Sequence, residues 1–187
     1  MITKTVDKRD CLIRSATTLI HKQGFGRTTL ADISKESGVP LGNVYYYFKT
    51  KDEIAEAVIN HRIDQFMRQF VLWEKIPDPR ERLIAFAQFI IDHKKVMASH
   101  GCPVGSLCQE LDKKNEGLSK KSGLILKNQV AWIRKQVELL GRISGSFNLA
   151  THFLSSLQGM ALLANALSDP EIIEREGETL KQWVYQL

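Results

Sequence analysis

The stretch TTLADISKESGVPLGNVYYYFKTK, residues 28–51, decides the reading of this chain. Thr28 and Thr29 offer N-cap hydroxyls to a helix over residues 30–37, and Asp32, three residues after Thr29, makes a capping-box variant. Gly38 ends that helix, and Val39-Pro40 turn the chain. A second helix follows over residues 41–48, with Val44 and Phe48 four apart and so on one inward face. Two short helices joined by a tight glycine-containing turn form a helix-turn-helix, whose second member lies in the major groove of DNA.

The composition of that second helix suits such a role. Gly42 lets the backbone approach closely. Asn43 can donate and accept, so it can read adenine or bind a phosphate. Tyr45, Tyr46 and Tyr47 stand about 100° apart around the helix, so one packs inward while the others reach phosphates or a thymine methyl. Lys49 and Lys51 follow, placed for contacts to the DNA backbone. Upstream, residues 7–23 read as a helix with Leu12, Ile13, Ala16, Leu19 and Ile20 on one stripe; Gly24 stops it and Phe25 packs back.

Charge agrees. Residues 1–51 hold nine Lys and Arg against four Asp and Glu, the whole net charge of +5. The remaining 136 residues hold 17 of each sign. A small basic segment joined to a larger neutral one suggests a polyanion reader attached to something that controls it. The expected division is a DNA-binding domain at 1–51 and a second helical domain at 52–187.

The segment from Leu12 to Ala57 resembles the TetR family of bacterial transcriptional regulators. The resemblance is carried by ATTLIHKQGF (16–25), TTLADISKESGV (28–39) and GNVYYYFKTKDEI (42–54), above all by an aromatic-ended recognition helix followed by F-K-x-K and a long helix. It implies DNA contacts from Thr29, Leu41, Gly42, Asn43, Tyr45, Tyr46, Tyr47 and Lys51, with Thr28 beside them. Leu41 departs from the polar residue often found there, so a methyl contact is expected at that point rather than a base hydrogen bond. GCPVGSLCQEL (101–111) looks like a loop-helix of a subgroup akin to the LmrA and YxaF repressors.

The rest of the chain reads as helices with few strand signals, giving an all-α protein of about nine helices: 51–73, 80–99, a short one from Pro103, 118–140, 147–167, and one from Pro170 to about Tyr185. The resemblance implies a small-molecule pocket among the middle helices. Candidate lining residues are Phe66, Phe70, Trp73, Phe86, Phe89, Cys102, Leu107, Trp132 and Phe153, with Asn128 and His152 as polar groups to orient a small apolar or aromatic ligand. The helix at 147–167 is apolar almost all round, and the last helix has two apolar edges, so both are expected at a homodimer interface through Leu157, Met160, Leu180 and Val184. The resemblance implies the same pairing.

Other classes find little support. No H-E-x-x-H, C-x-x-C pair, G-x-S-x-G or P-loop is present, so no catalytic residues, metal or cofactor are expected. Three cysteines, a polar start and the lack of a long apolar run predict a cytoplasmic protein with no membrane partner. The function expected is a ligand-released repressor that binds a palindromic double-stranded operator as a dimer. Two alternatives stand beside it. Cys102, if Pro103 opens a helix, sits at an N-cap that favours thiolate and could sense electrophiles or oxidants. A helical adaptor that binds no DNA is the other.

Overall fold

The computed structural model describes residues 7–112 and 116–187. Ten helices make up the described residues: α1 Lys8–Gln23, α2 Leu30–Ser37, α3 Leu41–Tyr47, α4 Lys51–Trp73, α5 Pro79–Asp92, α6 Lys94–His100, α7 Gly105–Asp112, α8 Glu116–Leu139, α9 Ser146–Leu167 and α10 Glu171–Tyr185. Their packing divides the chain into two units. The first holds Met1–Arg62 with Ser106–Gly123, and the second Ile63–Gly105 with Leu124–Leu187. The N-terminal unit therefore includes the first half of α4, most of α7 and the first turns of α8.

Local chemistry sets the helix ends. Asp7 caps α1 by accepting the Arg9 N–H at 2.9 Å. Thr29 and Asp32 form a full capping box at α2. Asp78 caps α5, where Pro79 stands at a position whose missing N–H costs nothing.

Two ends differ from expectation. The helix expected over residues 80–99 is two, because the chain leaves helical dihedrals at His93 (φ −102°, ψ 12°). There the backbone N–H turns back to Ile90 O, and the imidazole Nδ1 lies 2.7 Å from Phe89 O. No Gly or Pro marks the break. The helix expected from Pro103 begins at Gly105, whose N–H points at Cys102 Sγ at 3.4 Å.

In the N-terminal unit Leu12, Ala16, Phe25, Ile33, Val44, Phe48, Ile54 and Val58 are buried. In the C-terminal unit the core runs from Phe70 and Trp73 through Leu83, Phe86, Ile133 and Phe153 to Ile173 and Val184. Here α10 packs on α5 so closely that a Cβ on Gly177 would stand 2.6 Å from Ile91 Cγ1. Ile91 is itself buried, so it has little room to yield. Gly177→Val should therefore lower the unfolding free energy by about 1–3 kcal/mol, measured by urea denaturation. A variant as stable as wild type would show the α5–α10 packing to be slack.

Candidate nucleic-acid interface and ligand core

Recognition by α3 begins with what holds it in place. Val44 is fully buried and Phe48 nearly so, and the guanidinium of Arg9 stands 5.3 Å from the Phe48 ring centre. The opposite side is left to solvent: Tyr46 is 73% exposed, Tyr45 49% and Leu41 39%. Gly42 is exposed between them, and Asn43 and Tyr47 are half-buried. Tyr47 meets Tyr46 edge to face at 5.0 Å. The three phenols thus divide as the helical spacing requires, two outward and one against its neighbour. Lys49 closes the helix from its far end, donating from Nζ to Tyr45 O at 2.7 Å.

The corner before α2 is built from the capping box. The Thr29 hydroxyl donates to Asp32 Oδ2 at 2.7 Å and accepts the Asp32 N–H at 3.1 Å, while the Thr29 N–H donates to the same carboxylate at 2.9 Å. These bonds, the hydroxyl first, hold the Asp32 carboxyl below the ordinary carboxylate range, helped by Lys35 and Lys51. Thr28 corrects an expectation. It is 1% exposed and donates to Gly24 O at 2.8 Å, so it braces the α1–α2 loop and is not open to DNA.

Lys51 also does structural work. Its Nζ donates to Gly26 O at 3.0 Å and lies 4.5 Å from the Phe25 ring centre. Any phosphate contact it makes competes with that tether. The other side of the same loop is held by a residue that sequence reading passed over. Glu110 of α7 accepts the Gly26 N–H at 3.0 Å, and a Cβ on Gly24 (φ 86°) would stand 2.8 Å from its carboxylate. Glu110 lies 84 residues from Gly26 in sequence, and no motif connects them.

In the C-terminal unit the structure brings most of the expected lining residues together, but as a packed core. Phe70 and Trp132 stack at 4.7 Å with an 8° interplanar angle. Trp73 lies 4.9 Å from Phe86, which lies 5.9 Å from Phe153. Phe66 and Phe89 are half-buried at the edge of this set, and Asn128 and Cys102 are half-buried as well. Leu107 departs: it is buried in the N-terminal unit. His152 departs too, exposed on α9 with its ring 4.8 Å from Trp183. A surface hollow lined by Gln88, Ile91, Asp92, His93, Lys94 and Glu174 includes none of the expected lining residues.

The four residues expected at the dimer interface are also spent otherwise. Leu157, Met160, Leu180 and Val184 are all buried inside the protomer. The apolar side chains left in solvent on α9 are Phe147, Leu162, Leu163 and Leu167, the last 66% exposed, with Tyr185 on α10. Periodicity does not mark this side as the outer one, because a helix apolar all round does not say which side its own core takes.

Among the described residues, no group of three or more His, Cys, Asp or Glu side chains could hold a metal ion, and no helix is long and apolar enough to cross a membrane.

Comparison with known proteins adds the following. Residues 12–58 match the family model described as bacterial regulatory proteins, tetR family. The chain is 26% identical over 178 residues to an HTH-type transcriptional regulator in the lacX 3′ region of Lactococcus lactis subsp. lactis, covering 92% of this chain and 91% of that one. It is 34% identical over 116 residues to the HTH-type transcriptional regulator LmrA of Bacillus subtilis, covering 60% and 61%. In fold it is similar to a TetR transcriptional regulator from Legionella pneumophila, with TM-score 0.87 and 18% identity over 96% of this chain and 98% of that one.

The capping box gives a test that needs no DNA. Thr29→Ala should cost about 1 kcal/mol of stability. Because the folded-state Asp32 pKa is lowered, its stabilising share is complete above the unfolded carboxylate value of about 4 and is lost as pH falls through the folded value. The stability gap between wild type and Asp32→Ala should therefore stay constant near neutrality and close in acid. Urea titrations at several pH values measure it; a gap that widens in acid would contradict the assignment.

Proposed function

This chain is a member of the TetR family of transcriptional regulators, a DNA-binding regulator and not an enzyme, and we propose that it acts as a ligand-released repressor: a homodimer on a palindromic operator that a small apolar or aromatic molecule displaces. One observation carries the DNA half of the reading. A seven-residue helix is pinned by Val44 and Phe48 while Leu41, Tyr45 and Tyr46 stand in solvent. Clustered apolar and aromatic side chains on the outer face of a basic segment mark a binding surface.

The functional division proposed is a reader at residues 1–51 and a sensing and pairing region at 52–187. Pairing is assigned to the outer face of α9 with α10. Phe147, Leu162, Leu163, Leu167 and Tyr185 give that face its apolar character, and a second copy of the same face is self-complementary about a two-fold axis. Sensing is assigned to the aromatic core around Phe70, Phe86 and Trp132. Because this core is packed shut, a ligand must favour a more open arrangement, and that differential affinity is what can move the equilibrium.

Fragments selected from the source genome by the purified protein supply the operator. Tyr46→Ala and Asn43→Ala should each weaken binding to the selected duplex by about 1–3 kcal/mol while leaving binding to random duplex nearly unchanged. Gel-shift titration at fixed salt measures both; equal affinity for every duplex in the wild type would reject the operator reading. Leu163→Arg should convert the dimer to a folded monomer by light scattering and abolish operator binding. A Leu163→Arg dimer that binds normally would place the interface elsewhere.

A further inference from the structure

The loop that joins α1 to α2, residues 24–29, reads GFGRTT. It is soft by composition, because Gly24 and Gly26 lose more backbone freedom on ordering than any other residue type would. It ends in Thr29 and is held to Lys51, the two residues at this corner of the reader that are expected to touch DNA. The loop's own side chains fix only part of it. Phe25 is buried, and the buried Thr28 hydroxyl donates to Gly24 O at 2.8 Å. Gly26 lies exposed between them, with no side chain to anchor it. Its two polar groups are taken by side chains from elsewhere in the N-terminal unit. Lys51 Nζ donates to its C=O at 3.0 Å, and its N–H donates to Glu110 Oε2 at 3.0 Å.

The helix that brings Glu110 to the loop is itself fastened within that unit. Leu107 and Leu111, on the same side of α7 as Glu110, are both buried. Cys108 Sγ lies 3.4 Å from Ser122 O, and the Ser119 hydroxyl donates to Asp112 Oδ1 at 2.7 Å. The carboxylate occupies space that Gly24 leaves open: a Cβ there would stand 2.8 Å from Oε1 and 3.1 Å from Oε2. A carboxylate at this place carries a cost. Residues 1–51 hold the whole net charge of +5, and a negative group beside them opposes the approach of a polyanion. In return, a charged acceptor holds the Gly26 N–H about twice as strongly as a neutral one.

We propose that Glu110 is a positioning residue for DNA recognition: by holding the Gly26 N–H it orders the α1–α2 loop in the free protein, so that Thr29 and Lys51 meet the operator already in place. This rests on the operator reading above and adds to it a residue outside residues 1–51. Glu110 acts through the loop and not on the DNA. Backbone ordered beforehand does not have to be ordered during association, so the affinity for the correct duplex rises. The sign of the effect separates this role from a plain charge effect. Removing a carboxylate near DNA tightens binding to every duplex by electrostatics alone, whereas releasing the loop weakens binding to the operator.

The test uses full-length protein, the genome-selected duplex and a random duplex at fixed salt. Glu110→Ala and Glu110→Met should each weaken binding to the selected duplex about tenfold, the equivalent of one hydrogen bond, without weakening binding to the random one. Glu110→Gln keeps an acceptor and should stay within about threefold of wild type, because it gives up bond strength and repulsion together. Hydrogen exchange reads the contact directly. The Gly26 amide should exchange at least about fivefold faster in the Ala and Met variants, while the amide of Val44, bonded to Pro40 O within the reader, stays as in wild type. Ala and Met variants that bind the selected duplex as tightly as wild type, or more tightly, would overturn the inference. So would a Gln variant as weak as Ala, or a Gly26 amide unprotected in wild type. Loss of Val44 protection in both the Ala and Met variants would make Glu110 a residue of folding and overturn its positioning role. Failure of the operator reading shows in the wild type, which would then bind every duplex alike and take this inference with it. Failure of the inference alone leaves the wild type selective and the variants equal to it.

Discussion

The N-terminal unit depends on burying one side of a helix too short to stand alone. Seven residues form fewer than two turns, and isolated helices of that length are not stable in water. Val44 and Phe48 supply the anchor, each contributing on the order of 1.5–3 kcal/mol of burial. With two inward positions committed, the spacing leaves Leu41, Tyr45 and Tyr46 outside. Presentation and stability are thus one geometric fact. The Lys49 ammonium caps the carbonyl end of this short helix, while its first turn, after Pro40, carries no side-chain cap.

What the sequence made legible follows the range of the interactions involved. The boundaries of the first four helices rest on caps, glycines and periodic stripes that act within a few residues, and the structure places them close to expectation. Thr28 and Thr29 show the limit. Both are hydroxyls at a helix start, yet one caps α2 and the other turns inward to Gly24 O, a choice made by the loop before it. The break at His93 has no local marker and was missed for the same reason.

Side assignment was the harder problem in the C-terminal unit. Helix α9 is apolar on nearly every side, so periodicity says that it is covered more than once without saying by what. The protomer takes Ala150, Phe153, Leu157, Met160, Ala161 and Ala164, and leaves Phe147, Leu162, Leu163 and Leu167. Ala150, Ala161 and Ala164 lie on the inward side beside Phe153, Leu157 and Met160, where their small size lets neighbouring helices approach. Likewise the aromatic residues of α4, α5 and α8 are recognisable as a set, but their number fills the space between helices.

The division into two units cuts across helices rather than loops. Three helices are shared between the units, α4 at Arg62 and Ile63, α7 at Gly105 and Ser106, and α8 at Gly123 and Leu124. All three are tied within the N-terminal unit. Lys121 of α8 pairs with Glu56 of α4 at 2.5 Å, and Glu110 of α7 accepts from Gly26 in the loop that Lys51 holds from the α4 side. The first pair is half-exposed and adds little to stability. The second differs in kind, because Gly24 leaves no room for a Cβ beneath the Glu110 carboxylate. The loop between α1 and α2 is thus gripped from α4 and from α7 at a single residue, Gly26, whose N–H and C=O are both engaged. Within the N-terminal unit, α4 and α7 thus hold this loop through the two polar groups of one residue.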